Sequence, residues 1–182
     1  MASNTNEQYD EIIQNCRTTF LQKTSDYGTS WRVYRTISVA DQVYIKAKRI
    51  RTIQEKKVQR IGDDIKSEFA GILNYCIIGL IQLQFNDDDL EQLPVYQVQQ
   101  YYDGIVANAK KLMQDKNHDY GEAWRDMSQE SFTDLILAKI LRIKQILANE
   151  GRTIASEGID ANFYDMLNYA VFGLILIDEG KH

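Results

Sequence analysis

The sequence predicts an all-α protein, a helical bundle built from two pseudo-symmetric three-helix repeats. The 182 residues include one proline and 10 glycines, and long stretches without either residue favour helices. A ten-residue motif occurs twice, at 23–32 and 116–125, and keeps Lys, Asp-Tyr-Gly, Trp and Arg at identical spacing. The two copies are 93 residues apart, since 119 − 26 = 93, so each repeat takes about half of the chain.

Three helices are expected in each repeat. Apolar residues at helical spacing predict a first helix over 7–22, and Gly28 is available for the turn that follows. A short helical turn is expected around Trp31. The sequence Ser38-Val-Ala-Asp41 resembles a capping box, which predicts that the second helix begins at Ser38 and runs to about residue 57. The third helix is predicted over about 64–85.

The segment 86–94 is polar and acidic and contains the only proline, which indicates a boundary between repeats. We therefore expect repeats over 1–92 and 93–182, in which Ser131-Phe-Thr-Asp134 repeats the capping signal. Three-helix units rarely bury their apolar faces alone, so the two should share one core in one compact domain. A monomer that acts as a pseudo-dimer, or a homodimer, is the expected state.

Charge, cysteine spacing and hydropathy argue against a nucleic-acid-binding, a disulfide-bonded and a membrane protein. The net charge of −5 argues against a protein held to nucleic acid by its overall field. Cys16 and Cys76 lie far apart without a CxxC motif, which indicates a reducing compartment. The N-terminus has no signal pattern, and the longest apolar run, 169–177, is shorter than the ~20 residues that span a bilayer. We expect a cytoplasmic protein with no membrane partner.

One lysine in each repeat lies at an unusual position. At 100° per residue, Lys46 and Lys139 fall inside the apolar arc of the second helix. An isolated buried charge is costly, so each lysine should reach water or find a partner. Two partners stay open: a structural carboxylate such as Asp119, or a phosphate that Arg49 and Arg142, one turn on, would also bind.

Polar residues also interrupt the apolar third helices. They are Glu68 and Asn74 in the first repeat and Asp165 and Asn168 in the second. When the two repeats are aligned on their Asn-Tyr pairs, Glu68 corresponds to an Asn and Asp165 corresponds to a Gly. Each repeat therefore keeps one acidic residue of a possible E-x-x-D pair. Such pairs can bind Mg²⁺, which makes Glu68 and Asp165 candidate metal ligands. The alternative is that these groups satisfy one another at the seam between repeats.

The aromatic residues of the repeated motif are either core residues or stacking surfaces for a nucleobase, and burial is the commoner fate. P-loop, GxGxxG, HExxH and GxSxG motifs are absent from the sequence. The candidate ligand-binding residues are Lys46, Arg49, Lys139, Arg142, Asp26, Tyr27, Asp119, Tyr120, Trp31, Trp124, Asn74 and Asn168.

The order K-x-x-D-Y-G-x-x-W, S-x-x-D, K-I-x-R-I and L-N-Y, found in both repeats, resembles the nucleotide modification associated domain 1 family. The first copy departs at Ala47. The resemblance implies a role around the synthesis of modified nucleotides and a distant similarity to all-α nucleotide pyrophosphatases of the MazG and dimeric dUTPase type. Those enzymes hold Mg²⁺ with E-x-x-E and E-x-x-D carboxylates. Here the second helix has no E-x-x-E and carries the basic Lys139 and Arg142 instead, and E-x-x-D is split between the repeats. The fold can therefore be shared while the hydrolysis is not.

Two functions remain as hypotheses. The first is a nucleotide-binding protein linked to nucleotide modification or metabolism, with Mg²⁺-dependent hydrolysis of a nucleoside triphosphate as its chemistry if it is an enzyme. The second is a non-enzymatic helical module whose basic segment 46–57 contacts an acidic partner or nucleic acid. Loss of Lys139 should impair only the first, and loss of Lys48, Arg51 and Lys56 only the second.

Overall fold

The computed structural model describes residues 4–57, 64–86, 89–154 and 157–181. In these ranges the chain forms six α-helices and two short 3₁₀ helices, and no strand. The all-α fold and its two three-helix repeats are therefore confirmed. The helices are α1 (Thr5–Tyr27), α2 (Thr36–Lys56), α3 (Ile65–Gln82), α4 (Val95–Tyr120), α5 (Gln129–Ala148) and α6 (Ile159–Asp178), with 3₁₀ helices at Ser30–Val33 and Ala123–Asp126.

The first helix is longer than its apolar pattern predicts. It continues through a polar stretch to Tyr27, and buried Thr24 bonds its hydroxyl to the carbonyl of Phe20 inside the helix. It ends where Gly28 adopts a positive φ of 66°. The periodicity of apolar residues ended at residue 22 because the last turn of α1 faces mainly solvent, where packing leaves no pattern.

The two predicted capping boxes are wrong in position. Helix α2 already begins at Thr36, after an extended Arg35, so Ser38 lies inside the first turn. Helix α5 begins at Gln129, and the Ser128 hydroxyl accepts the backbone N–H of Ser131. Each predicted capping serine is therefore itself helical. Only α5 has a serine N-cap, and it lies three residues upstream of the predicted one.

The third helices of the two repeats, α3 and α6, form the centre of the bundle. They run antiparallel, because Gly79 faces Phe163 at one end and Gly173 faces Phe69 at the other. A Cβ on Gly79 would come within 2.8 Å of the Phe163 ring, so glycine permits this close approach. None of the helices in the described ranges is long and apolar enough to cross a membrane.

The remaining helices surround this central pair in a pseudo-symmetric arrangement. Helix α2 packs on α3, α5 packs on α6, and α2 and α5 contact each other. Helices α1 and α4 contact each other and both central helices. The first helix of each repeat thus packs against the third helix of the other, which joins the repeats through a shared core.

Two equivalent hydrogen-bond chains cross the seam between repeats. Tyr9 donates from its hydroxyl to Asn168 Oδ1 at 2.7 Å, and the Asn168 amide donates to the carbonyl of Ala109 at 3.1 Å. Tyr102 donates to Asn74 Oδ1 at 2.9 Å, and Asn74 donates to a carbonyl of α1 at 3.1 Å. Both asparagines therefore have partners for their amide groups within the fold.

Candidate functional site

A cleft of about 740 Å³ opens in the first repeat. Its walls come from α1, the first 3₁₀ helix, α2 and α3, with one residue of α6, Leu174. The volume falls within the range of about 300–1,000 Å³ that is typical of ligand pockets. The aromatic part of the wall comprises Phe20, Tyr27, Trp31, Tyr34 and Tyr75.

The charged part of the wall begins with Lys46. Its ammonium lies 3.6 Å from Glu68 Oε2 and 5.8 Å from the centre of the Tyr75 ring. Arg49 donates to the other Glu68 oxygen at 3.0 Å. The Glu68 side chain is almost fully buried, and pairing with two cations offsets the cost of burying its charge.

The second repeat holds a related cluster with a different carboxylate. Lys139 and Lys116 donate to the two oxygens of Asp165 at 2.8 Å and 2.9 Å. The partner of Lys139 is thus Asp165 and not Asp119. Burial alone would raise the pKa of the Asp165 carboxyl, but the hydrogen bonds from Lys139 and Lys116 hold it below its usual value. Burial would likewise lower the pKa of Lys116, but pairing with Asp165 raises it.

The two clusters differ because their carboxylates occupy different helical positions. Lys23 is the counterpart of Lys116, since 116 − 23 = 93, yet it is exposed, lines the cleft and makes no ion pair with any described residue. The position that corresponds to Asp165 is Gly71, since 165 − 94 = 71. The first repeat therefore has the two lysines but lacks the carboxylate between them.

The second repeat in turn lacks the carboxylate that would pair with Arg142. Its counterpart Arg49 pairs with Glu68, but the second repeat has Asn162 at the position of that carboxylate. The Asn162 amide donates to the carbonyl of Gly158 at 2.8 Å within its own helix turn. Arg142 is exposed and has no ion pair with the described part of the chain.

Glu68 and Asp165 do not meet. In the antiparallel pair α3–α6, Glu68 lies level with about residue 174, and 174 − 165 = 9 residues along a helix is about 14 Å. Each carboxylate already accepts from two cations. Across the described ranges, no three His, Cys, Asp or Glu side chains come together as a metal-binding group. These residues do not fit a resident Mg²⁺, which prefers several oxygen ligands.

The two clusters coincide with the parts of the chain that match a known family. The family model of the nucleotide modification associated domain 1 matches residues 23–83 and 116–177, more than half of the chain. The protein belongs to this family. No curated protein and no solved structure matched the chain. Each match begins at the motif lysine, Lys23 or Lys116, and includes the second and third helices, so one nucleotide modification associated domain 1 unit contains one complete cluster.

Some of the predicted ligand-binding residues of this nucleotide modification associated domain 1 protein line the cleft. Lys46, Tyr27 and Trp31 do so, and Tyr27 is exposed while Trp31 is buried. Asn74 also lines the cleft, although its amide group is already hydrogen-bonded inside the fold. Arg49 is not among the lining residues and donates to Glu68.

The remaining predicted residues lie elsewhere. Asp26, Asp119 and Tyr120 are exposed, and Asp119 lies 3.1 Å from the ring of His118. Trp124 is buried and stacks on Phe172, with ring centroids 4.2 Å apart. Asn168 is buried at the seam. None of these side chains lines the cleft of the first nucleotide modification associated domain 1 unit.

Lys23 and Lys116 were not among the residues predicted to bind a ligand. The available signal was their place in the repeated motif, which keeps a lysine at its first position in both copies. These two lysines do not lie on the apolar face of a helix, so the argument from a buried charge did not select them. Only the packing of α4 against α6 shows that Lys116 reaches the carboxylate of Asp165.

Acid should weaken the fold through Asp165. Its pKa is lower in the folded state than its usual value of about 3.9. Its stabilising contribution is therefore present above that value and is lost as the pH falls through it towards the depressed folded pKa. We expect Asp165→Asn to lower the free energy of unfolding by about 1–3 kcal/mol at pH 7.

The measurement is urea unfolding from pH 7 to pH 3. The difference between wild type and Asp165→Asn should shrink as the pH falls below about 4. The same substitution at exposed Asp119 should leave stability nearly unchanged. A difference for Asp165→Asn that stays constant from pH 7 to pH 3 would contradict the assignment of the ion pairs.

Proposed function

We propose that the protein binds a nucleoside phosphate in the cleft of the first repeat. The phosphate would contact Lys23 and Lys46, and the base would lie against the aromatic wall. The observation that carries this proposal is a cleft of about 740 Å³ with an aromatic wall, lined also by Lys23, which makes no ion pair with any residue that the structure describes. Membership of a family described as nucleotide modification associated supports a nucleotide as the ligand.

The charge balance of the cleft favours an anion. Two carboxylates line it, Asp64 and Glu68. Asp64 caps α3 and accepts the backbone N–H of Ser67 at 2.7 Å, and Glu68 accepts from Arg49. Lys46 shares Glu68 with Arg49, and Lys23 has no counter-ion in the described part of the chain. A phosphate offers oxygens to several ammonium donors at once and would complete this set.

The aromatic residues suit a planar base. Tyr27, Trp31, Tyr34 and Tyr75 line one continuous cleft. Stacking of a base on an aromatic side chain contributes about 1–3 kcal/mol and depends little on which base is present. This wall therefore favours nucleosides over inorganic anions, while the identity of the base has to be found by experiment.

Binding, and not hydrolysis, is the activity that these residues support. Both candidate metal ligands are held by lysine or arginine groups and lie at different levels of the bundle. The distant similarity to MazG-type pyrophosphatases that the sequence motifs imply contributes only the class of ligand to this proposal. Release of pyrophosphate in the presence of Mg²⁺ is a separate measurement, for which we expect no turnover.

The alternative function, a basic module for an acidic partner, has less support. Arg51 of the basic segment of α2 pairs with Glu55 at 3.0 Å and with Asp134 of α5 at 3.5 Å. On the facing side, Lys144 of α5 pairs with Asp41 of α2 at 2.8 Å. With Lys46 and Arg49 held by Glu68, three of the basic residues of this segment are thus paired inside the protein itself, whereas Lys48 and Lys56 are exposed.

Nucleotide titration tests the proposal. Wild-type protein in EDTA is titrated with nucleoside mono-, di- and triphosphates, followed by tryptophan fluorescence and calorimetry. We expect saturable binding, and we expect Lys23→Ala and Lys46→Ala to weaken it about tenfold or more, which corresponds to about 1.4 kcal/mol. Lys48→Ala is the matched control, because Lys48 is exposed on the same helix as Lys46 and does not line the cleft.

Two outcomes would overturn the proposal. One is that wild-type protein binds no member of the panel. The other is that Lys48→Ala weakens binding as much as Lys23→Ala, which would indicate attraction by general charge and would favour the basic module. Circular dichroism of each variant shows whether the fold is intact.

A further inference from the structure

The lysine pair occurs twice, but only in the second copy do both lysines bind one carboxylate. In the second repeat Lys116 and Lys139 each bind one oxygen of Asp165, at 2.9 Å and 2.8 Å. In the first repeat the corresponding lysines are Lys23 and Lys46, and Gly71 stands in place of the aspartate. Corresponding helices carry the two lysines in both copies, so the exchange of Asp165 for Gly71 removes the carboxylate that joins them.

The Lys46 side chain lies directly over Gly71. A Cβ built on Gly71 would come within 2.9 Å of Lys46 Cε and 3.2 Å of its Nζ. Gly71 and both lysines line the same cleft. By equivalence with the second repeat, where Asp165 joins the two lysines, an anion that bridges Lys23 and Lys46 would lie over the backbone of Gly71.

We propose that Asp165 is a built-in substitute for the anionic group of the ligand. The second repeat thus supplies its own anion and is closed, and the first repeat takes one oxyanion from solution over Gly71. This inference rests on the proposed function and adds two statements to it: the phosphate lies at Gly71, and one chain binds one ligand.

The chemistry of the ligand follows from that of Asp165. Two oxygens of one compact group accept from two ammonium groups on different helices. A terminal phosphate can do the same with two of its oxygens. The anionic group is therefore a terminal phosphate that can enter the cleft, as in a nucleoside monophosphate or in inorganic phosphate. Of these two ligands, the aromatic wall favours the nucleoside monophosphate, because only this ligand has a base that can stack on it.

Exchanging the two residues tests this directly. Gly71→Asp should close the first site, because the new carboxylate would pair with Lys23 and Lys46; the nearest atoms are those of the flexible Lys46 side chain, which can shift. We expect binding of nucleoside monophosphate to fall at least 100-fold. Gly71→Asn adds nearly the same volume without charge and should weaken binding less than Gly71→Asp does.

The reverse substitution, Asp165→Gly, should open the second site. The melting temperature should then rise more steeply with inorganic phosphate than that of wild type, and the number of phosphate ions bound per chain should rise from one to two. Asp165→Asn, which keeps the side-chain volume, should gain less. All assays contain EDTA, because Gly71→Asp also creates a Glu68-x-x-Asp pair that could take up a metal ion.

The outcomes separate the two proposals. If wild type binds no phosphate compound, the proposed function itself fails. If wild type binds nucleotide and folded Gly71→Asp binds it equally well, the function stands and the placement of the anion at Gly71 is wrong. Equal losses of affinity in Gly71→Asp and Gly71→Asn would show that any side chain at this position blocks the cleft by its volume. That result would also overturn the proposal that Asp165 stands in for the anionic group of the ligand. If Asp165→Gly does not fold, the comparison of Gly71→Asp with Gly71→Asn still tests the proposed position of the anion.

Discussion

Replacing Arg32 with alanine is expected to lower the free energy of unfolding by about 3 kcal/mol or more. Arg32 is the last residue of the repeated motif, and only 1 % of its side chain is exposed. Its guanidinium donates to the carbonyls of Glu91 at 3.0 Å and Asp89 at 2.6 Å and to the side chain of Gln82. It also lies 4.0 Å above the centre of the Phe85 ring. Its loss leaves these acceptors without a donor and detaches the connection between the repeats from α3.

Arg125, at the same motif position in the second repeat, provides the matched comparison. It donates to Glu179 at 2.8 Å and to the side chains of Thr5 and Gln8 at 2.7 Å each, but 16 % of its side chain is exposed. Water can replace part of these bonds, so we expect Arg125→Ala to cost about 1–2 kcal/mol. Urea unfolding followed by circular dichroism measures both variants. A loss for Arg32→Ala no larger than that for Arg125→Ala would show that its burial does not matter.

The second large effect is expected for Gly28→Ala, at about 2–3 kcal/mol. Gly28 ends α1 with φ 66° and ψ −148°, a region that is essentially restricted to glycine. A Cβ at this position would also lie 2.3 Å from the side-chain oxygen of Gln92, which accepts the backbone N–H of Thr29. Alanine would therefore strain the backbone and break the contact between the motif and the connection that joins the repeats.

The second copy of the motif again supplies the control. Gly121 has φ 61° and ψ 35°, an ordinary left-handed conformation, and a Cβ added to it would have no described neighbour within 4 Å. Gly121→Ala should cost only about 1 kcal/mol, the usual penalty for a non-glycine residue in this conformation. Thermal and urea unfolding of the two variants give the comparison. Equal losses would mean that the turn after α1 relaxes without strain.

Sequence periodicity predicted much of the fold because a helix repeats its environment every 3.6 residues. The duplication, the three helices of each repeat and the connection around 86–94 all follow from patterns within short windows. The helix starts at Ser38 and Ser131 were wrong, because a capping signal is a few residues long and the preceding residues are also able to form helix. The polar end of α1 was missed because its buried residue, Thr24, is polar and its other residues are exposed.

The candidate site shows the limit of such patterns more clearly. A lysine inside an apolar arc requires a partner, and that much the sequence indicated for Lys46 and Lys139. Asp119 was a reasonable partner for Lys139 by chemistry, but α6 packs on α5 and brings Asp165 to it at 2.8 Å. The identity of a partner depends on which helices are neighbours, and helix neighbours are set by the global packing of apolar faces.

The sequence by itself determined that this protein is a duplicated bundle of helices with one out-of-place lysine in each half, because repetition and periodicity are properties of the chain alone. The tertiary structure alone decided which carboxylate each of those lysines meets, Glu68 or Asp165, and that Lys46 also lines an open cleft. Charges attract over a few ångströms in any direction, so their pairing is a property of three-dimensional neighbours. The exchange of Asp165 for Gly71 matters for binding only because α1 and α2 bring Lys23 and Lys46 to the cleft that Gly71 lines.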